Sequence, residues 1–600
     1  MSKSPHYAVI ALVLALVGPP VSAAADDLVN WVAFTNQTAT RLVGDPGVTT
    51  LDTAQKAYAW GDVDLDGDLD LVVARKFTID PGKEPNVLFI NENGTLTDRT
   101  AEFATDSPID GDLGFHTPTD DFDVILVDVD LDGWLDIVTA ARTSAGDPEH
   151  IGHPRIYRNR GCTGACEGTE DWLGFRYEPA RIPPMLSDSG QPGFNPCFTH
   201  VGAGDLTGDG YPDLWFPDRD GFGCSGPGDF NSKLLVNLGQ TNPGHFVDVS
   251  ETTLPASFRS AGLPASGWIT DMNGDGLNDV VRQIQGSIDI AYNSPSDPFD
   301  TISNVYTGST YYLSTGDLNN DGRLDLVVSE DGADSYLLNV ETSPDGIASF
   351  IAFTYSFSHS GSGGPASDDG FGSNNYVADL NRDGWNDVLI TDIDMDVHGC
   401  DRRLHIYRNL GGSPGDQVVL EEQTTGFGCE NFYPNPPTCH LANIPVNRLT
   451  GVHDVAVFDI DGDGWPDMVV GRCNSTAVYI NQPPGPPAGS LDVESGTGSQ
   501  LQLARSGQDL TLSWGDSCLL DDTDYAIYAG QLDLIGVHEP LACSTAEATT
   551  YTVQSPAGNS YFLVTPHNGI VEGSSGRISG GAERPQGFPL CLPRFIAECP

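Results

Sequence analysis

The chain has 600 residues, with 28 Lys and Arg against 84 Asp and Glu and a formal net charge of -56. Such a chain repels phosphate backbones, which excludes nucleic acid as a partner. With 39% hydrophobic residues and nine Trp it is no disordered chain, and its 69 Gly and 42 Pro suit a turn-rich β protein better than a helical one.

At the amino terminus one Lys precedes an apolar run from Ala8 to Gly18, and the small residues Val21, Ser22 and Ala23 follow. This pattern predicts a secretory signal peptide over 1–23 and a secreted, extracellular chain. No later stretch is apolar and long enough to cross a bilayer, so no membrane span is expected. Twelve cysteines, an even number, agree with export. They group as Cys162, Cys166, Cys197 and Cys224; Cys400, Cys429, Cys439 and Cys473; Cys518 and Cys543; Cys591 and Cys599. None has zinc-ribbon spacing, and disulfides within each group are expected.

From Asp62 the chain reads "DVDLDGDLD", five carboxylates within nine residues and a valine-rich stretch directly after. Its pattern is Asp at position one, Asp, Asn or Thr at three, Asp at five, Gly at six and Asp at nine. It returns from Asp128, Asp205, Asp271, Asp317, Asp379 and Asp459, seven copies in all. Oxygens on alternate residues of a tight loop can converge on one centre, and hard Ca²⁺ takes six to eight oxygens. The sixth-position glycine permits the sharp turn. An EF-hand needs an acidic twelfth residue and flanking helices. Here the twelfth residues are Val73, Thr139, Phe216, Arg282, Val328, Ile390 and Val470, so that reading fails.

About seven calcium ions per chain are therefore expected. Their ligands are, loop by loop, Asp62, Asp64, Asp66 and Asp70; Asp128, Asp130, Asp132 and Asp136; Asp205, Thr207, Asp209 and Asp213; and Asp271, Asn273, Asp275 and Asp279. The remaining three loops supply Asp317, Asn319, Asp321 and Asp325; Asp379, Asn381, Asp383 and Asp387; and Asp459, Asp461, Asp463 and Asp467. Thr207 departs from the pattern, and its site is expected to be weaker.

Successive copies start 66, 77, 66, 46, 62 and 80 residues apart, room for four short strands with variable loops. In the first unit "KAYAWGD", "LDLVVAR", "NVLFIN" and "TLTDRTAEF" read as strands one to four. The seventh unit stops at Gln482 without a fourth strand, while Val32 to Leu42 resembles the fourth strands of other units. The N-terminal segment is expected to complete the seventh unit and pair its open edge.

Residues 28–482 resemble the FG-GAP/VCBS repeat family, calcium-bearing β-propellers related to the integrin α-subunit head. The resemblance rests on the seven D-x-[DNT]-x-D-G-x-x-D loops and implies an all-β, seven-bladed propeller with Ca²⁺ between the first two strands of each blade. All metal loops would then share one face. The long segments fall on the other, where Phe115, His116, Phe194, Phe222, Phe371, Phe427 and Tyr433 are candidate ligand contacts.

A Pro-rich linker, 483–490, precedes short alternating strands over 491–582. These look like a small fibronectin type III-like β-sandwich with Trp514 and Tyr561 in its core and a Cys518–Cys543 staple, followed by a tail, 583–600. No G-x-S-x-G elbow, H-E-x-x-H or P-loop occurs. "GFGCSG" from Gly221 lacks a following helix and reads as a loop, and the acidic run Asp392, Asp394 and Asp396 reads as a solvated loop, with an eighth cation site as the alternative. The expected function is calcium-dependent binding of an extracellular protein or glycan, without catalysis. The alternative is a carbohydrate-active enzyme such as a polysaccharide lyase. Convergence of His, Lys, Arg or Tyr in one groove would favour the enzyme.

Overall fold

The computed structural model describes residues 32, 34–76, 83–141, 153–162, 171–185, 197–219, 231–262, 265–295, 298–330, 333–355, 371–393, 402–422, 440–441, 444–445, 451–482, 501–506, 509–519, 522–531, 538–546, 548–554, 560–576, 584 and 591–596. The expected signal peptide, the linker, the "GFGCSG" loop, Phe194, Phe222, Phe427, Tyr433, Asp394 and Asp396 lie outside them, as do the side chains of Phe371 and Asp392.

The first repeat forms an antiparallel sheet from Gln55–Gly61, Asp70–Lys76, Val87–Asn91 and Leu96–Asp98, in that order. The same order of four strands recurs over 121–177, 202–248, 265–306, 310–354 and 371–422. In the seventh sheet Val452–Phe458, Asp467–Arg472 and Ser475–Asn481 are joined by Phe34–Asn36, with Phe34 opposite Asn481. The N-terminal segment therefore fills the missing fourth place, as its sequence predicts. Leu42–Val43 adds a short parallel strand to the outer edge of the first sheet.

Second strands such as Asp136–Ala141 and Asp467–Arg472 are buried along their whole length. Both faces of each sheet are covered, which explains apolar runs in place of strict alternation. Each core is shared by two successive sheets. Ala57, Val72 and Leu88 of the first pack on Val124 and Ile137 of the second. At the far end Ala456, Val469 and Val478 of the seventh pack on Leu71, Val73 and Val87 of the first. The five interfaces between are built likewise. Among the described residues no helix is long and apolar enough to cross a membrane.

The fourth strands are shorter than "TLTDRTAEF" predicts: only Leu96–Asp98 is extended, and Thr100–Phe103 forms a helical turn. Asp98 Oδ1 accepts the Thr100 backbone N–H at 3.0 Å and caps the turn, and Thr100 Oγ1 accepts the Leu88 N–H at 2.8 Å. Asp248 with Ser250 and Leu234, and Asn36 with Thr38 and Val478, repeat the arrangement. Ser250 is fully buried. Ser250→Ala keeps the backbone N–H that Asp248 accepts but removes the hydroxyl that bonds Asp248 and leaves the Leu234 N–H without its acceptor, so urea denaturation should show a loss of about 1–3 kcal/mol.

Beyond residue 500 two three-stranded antiparallel sheets share a core of Leu512, Trp514, Tyr525, Ile527 and Val564. Tyr561 is half-buried beside a second small cluster of Ala526, Tyr528 and Leu563. The expected Cys518–Cys543 staple does not form: Cys543 bonds to Cys591, with Cα atoms 5.1 Å apart. The physical reason is the path of the C-terminal segment, which folds back along this sheet. The Cys591 N–H donates to Tyr528 Oη at 3.0 Å, and the Glu572 N–H donates to the Pro593 carbonyl at 2.7 Å. Cys162, Cys197, Cys473 and Cys518 are also oxidised, and no described cysteine is free.

Candidate metal centres and the loops that build them

Each acidic loop joins the first and second strands of its sheet, and all seven share one hydrogen-bond frame. The position-one carboxylate accepts the N–H of the position-six glycine at 2.7–3.1 Å. The position-five carboxylate accepts the N–H of residue seven at 2.8–3.1 Å. Residue four has a positive φ in every loop, a feature the sequence analysis missed. Gly208, Gly274, Gly462 and Asn320 accept this readily, whereas Leu65, Leu131 and Arg382 are held at φ 54–58°. The glycines at three of these positions were the available signal.

The position-nine aspartates are fully buried. In every sheet one oxygen accepts the N–H of residue two of its own loop, at 2.8–3.2 Å. The other accepts the N–H of an asparagine on the third strand, at or next to its end in six sheets and within Ser335–Thr342 in the fifth, at 2.7–2.8 Å. That asparagine, through Nδ2, donates to the carbonyl of residue two in the preceding sheet's loop, at 2.7–2.9 Å. The series is Asn91, Asn159, Asn237, Asn293, Asn339, Asn409 and Asn481. Asn91 of the first sheet bonds Ile460 of the seventh. Sequence reasoning passed over these residues, although the stretches "NVLFIN", "RIYRN", "KLLVN", "LHIYRN" and "AVYIN" all end in Asn.

Three loops gather three carboxylates with ligand atoms within 4.8 Å of one another: Asp62, Asp64 and Asp66; Asp128, Asp130 and Asp136; and Asp459, Asp461 and Asp467. In the third loop Thr207 Oγ1 turns back towards Asp205 Oδ1, 3.5 Å away. Three loops are also held by arginines: Asp130 by Arg158 and Arg181, Asp321 by Arg323, and Asp461 by Arg41. Burial pushes the position-nine carboxyls up, Asp213 to about 6, Asp279 and Asp325 to about 7 and Asp467 to about 8. Neighbouring carboxylates push in the same direction, and a cation among them reverses the effect. Hard oxygen donors in this crowding fit Ca²⁺.

The sign of the pH dependence follows. Between the ordinary carboxyl range and these raised values, the folded metal-free chain holds protons that the unfolded chain has lost. Its stability therefore falls as pH rises. The metal-stripped chain should melt higher near about pH 5 than near about pH 8, and saturating calcium should remove or reverse the difference. Thermal melts at both pH values, with and without calcium, check this.

Residues 271–328 and 317–390 match the FG-GAP-like repeat. The two FG-GAP-like segments contain the fourth, fifth and sixth acidic loops. No curated protein sequence matches the chain. Among solved structures, it is similar at 16% identity to an Agrocybe aegerita lectin described as specifically recognising non-reducing terminal N-acetylglucosamine. That likeness covers 62% of this chain and 80% of the lectin, with a TM-score of 0.37. A Photorhabdus luminescens Tc holotoxin pore is similar at 15% identity, over 71% of this chain but 16% of that one, with a TM-score of 0.31. At such scores neither likeness identifies a ligand.

Of the candidate ligand contacts, Phe115 is corrected. It has no exposed surface and packs edge-on against Tyr157 with ring centroids 5.0 Å apart, a core residue. His116 is half-buried. A different group of side chains meets near the first strands of several sheets. His200 Nε2 lies 3.5 Å from Asp123, its ring lies 5.5 Å from that of Tyr312, and Tyr376 Oη donates to Asp454 at 2.7 Å. Burial lowers the His200 pKa and raises that of Asp454 to about 6.

Proposed function

We propose that the seven sheets are the blades of a calcium-stabilised β-propeller, exported from the cell, that binds an extracellular protein or glycan. One observation carries this reading: the asparagine bridges run from sheet to sheet in chain order and return from the first to the seventh. Each bridge is anchored on the position-nine aspartate of an acidic loop, so an ion in the loop and the ring support each other. The 28 aspartates, asparagines and threonine at positions one, three, five and nine of the loops are the proposed ligands, up to four in each of seven sites. Titration calorimetry on the metal-stripped chain tests the reading. Six to eight calcium ions per chain support it; none or one overturns it.

A second reading, an enzyme acting on a saccharide, rests on the meeting of Asp123, His200, Tyr312, Tyr376 and Asp454. Four of these groups lie on strands of four different sheets and His200 just precedes the strand Gly202–Gly204 of a fifth; they include a carboxylate–imidazole and a carboxylate–phenol pair, the kind of set that proton transfer uses. Incubation with acidic and neutral polysaccharides, followed by chromatography of the products, separates the two readings. Cleavage lost in His200→Ala would favour the enzyme. Binding of polysaccharide without cleavage favours recognition, which we take as the function.

A further inference from the structure

The outer edge of the second sheet holds a cavity of about 430 Å³ whose lining includes Arg158, Arg160, Arg176, His245, Pro108 and Pro179, together with one carboxylate, Glu178, which pairs with Arg181 at 2.6 Å. Three guanidinium groups in one cavity are unexpected in a chain where Asp and Glu outnumber Lys and Arg 84 to 28. Arg158 and Arg176 stand directly opposite each other across an antiparallel strand pair. Like charges so placed repel. All three side chains keep about a third or more of their surface exposed, at 35%, 33% and 41%.

Their carboxylate partners are of two kinds. Asp106 serves both Arg160, at 2.9 Å, and Arg176, at 3.7 Å, so these two cations share one anion. Arg158 instead reaches Asp130 at 3.1 Å and Asp132 at 2.9 Å, positions three and five of the second acidic loop. A calcium ion held by those carboxylates neutralises them and weakens their hold on Arg158. Calcium in this loop therefore leaves the cavity more cationic.

We propose that this cavity binds an acidic saccharide unit through its carboxylate or sulfate, and that calcium in the second loop strengthens the binding. The volume lies within the usual range for small-ligand sites, and is enough for one or two sugar rings. Arginine forks match planar carboxylate and sulfate oxygens, and Pro108 and Pro179 offer apolar surface to the C–H face of a pyranose ring. The calcium dependence rests on the proposed function; the anion site itself does not.

The test is titration calorimetry of the full chain with a galacturonate trisaccharide, a sulfated disaccharide, a neutral glucose trisaccharide and triglutamate, in calcium and in EDTA. Calcium stoichiometry is measured in parallel. One of the acidic saccharides should bind in calcium, more weakly as salt rises, and the neutral sugar should not. Arg176→Ala should weaken binding by about tenfold or more while leaving calcium stoichiometry unchanged. A chain that takes up calcium but binds neither acidic saccharide overturns the inference and leaves the proposed function standing. Triglutamate binding as tightly as the saccharides overturns the ligand class. Equal saccharide affinity in calcium and EDTA overturns the coupling, and a chain without calcium uptake overturns the calcium reading itself.

Discussion

Removing calcium with EDTA is expected to lower the melting temperature of the chain sharply and to open it to protease. Metal-free, each acidic loop brings several carboxylates together, and its position-nine member is buried beside them. At free calcium about ten times Kd, each independent site contributes roughly 1.4 kcal/mol to folding, and several sites together contribute a large fraction of a domain's stability. Extracellular calcium modules bind at roughly 10⁻⁴–10⁻³ M, so exterior calcium is enough to populate them. The loops should not fill together. The first, second and seventh, whose carboxylate oxygens already lie within 4.8 Å of one another, are expected to fill first. The third, with Thr207 at position three, is expected to fill last. Calorimetric melts across a calcium series check both statements. An unchanged melting temperature in EDTA would sink the structural role of calcium.

Asn91→Ala is expected to cost about 2–4 kcal/mol, much more than substitution of an exposed asparagine. Asn91 has no exposed surface. Its Nδ2 donates to the Ile460 carbonyl at 2.8 Å and the Leu69 carbonyl at 3.1 Å, and its Oδ1 accepts the Gly94 N–H at 2.9 Å. Alanine leaves two carbonyls and one N–H buried without these partners, and opens a small void. The Ile460 bond joins the first sheet to the seventh, so its loss should also speed protease cutting of the segment that carries Phe34–Asn36. Asn91→Asp conserves volume but replaces the donor with an acceptor facing two carbonyls, and should destabilise at least as much. Urea denaturation with limited proteolysis reads both effects. A loss below about 0.5 kcal/mol, the level of a surface substitution, would mean that the bridge contributes little.

The sequence by itself determined the repeat number, the place of each acidic loop and the borrowing of the N-terminal strand for the seventh sheet. These are local matters. Asp at positions one, five and nine and Gly at six act within nine residues, and a missing fourth strand shows as a gap in a regular series. Only the tertiary structure decided what each third-strand asparagine does, because its carbonyl partner lies in the preceding sheet, 96 residues away for Asn159 and 369 for Asn91. The same holds for Phe115, which reads as a loop aromatic yet lies in the core between the first two sheets. Cys543, too, found Cys591 rather than the nearer Cys518, because the backward path of the C-terminal segment sets the pairing. Arg158 and Arg176 are 18 residues apart in a chain with ample acid, and only the strand register sets them face to face. Local hydrogen bonds and turn geometry can be read from spacing, whereas contacts between sheets exist only once every sheet has packed against its neighbour.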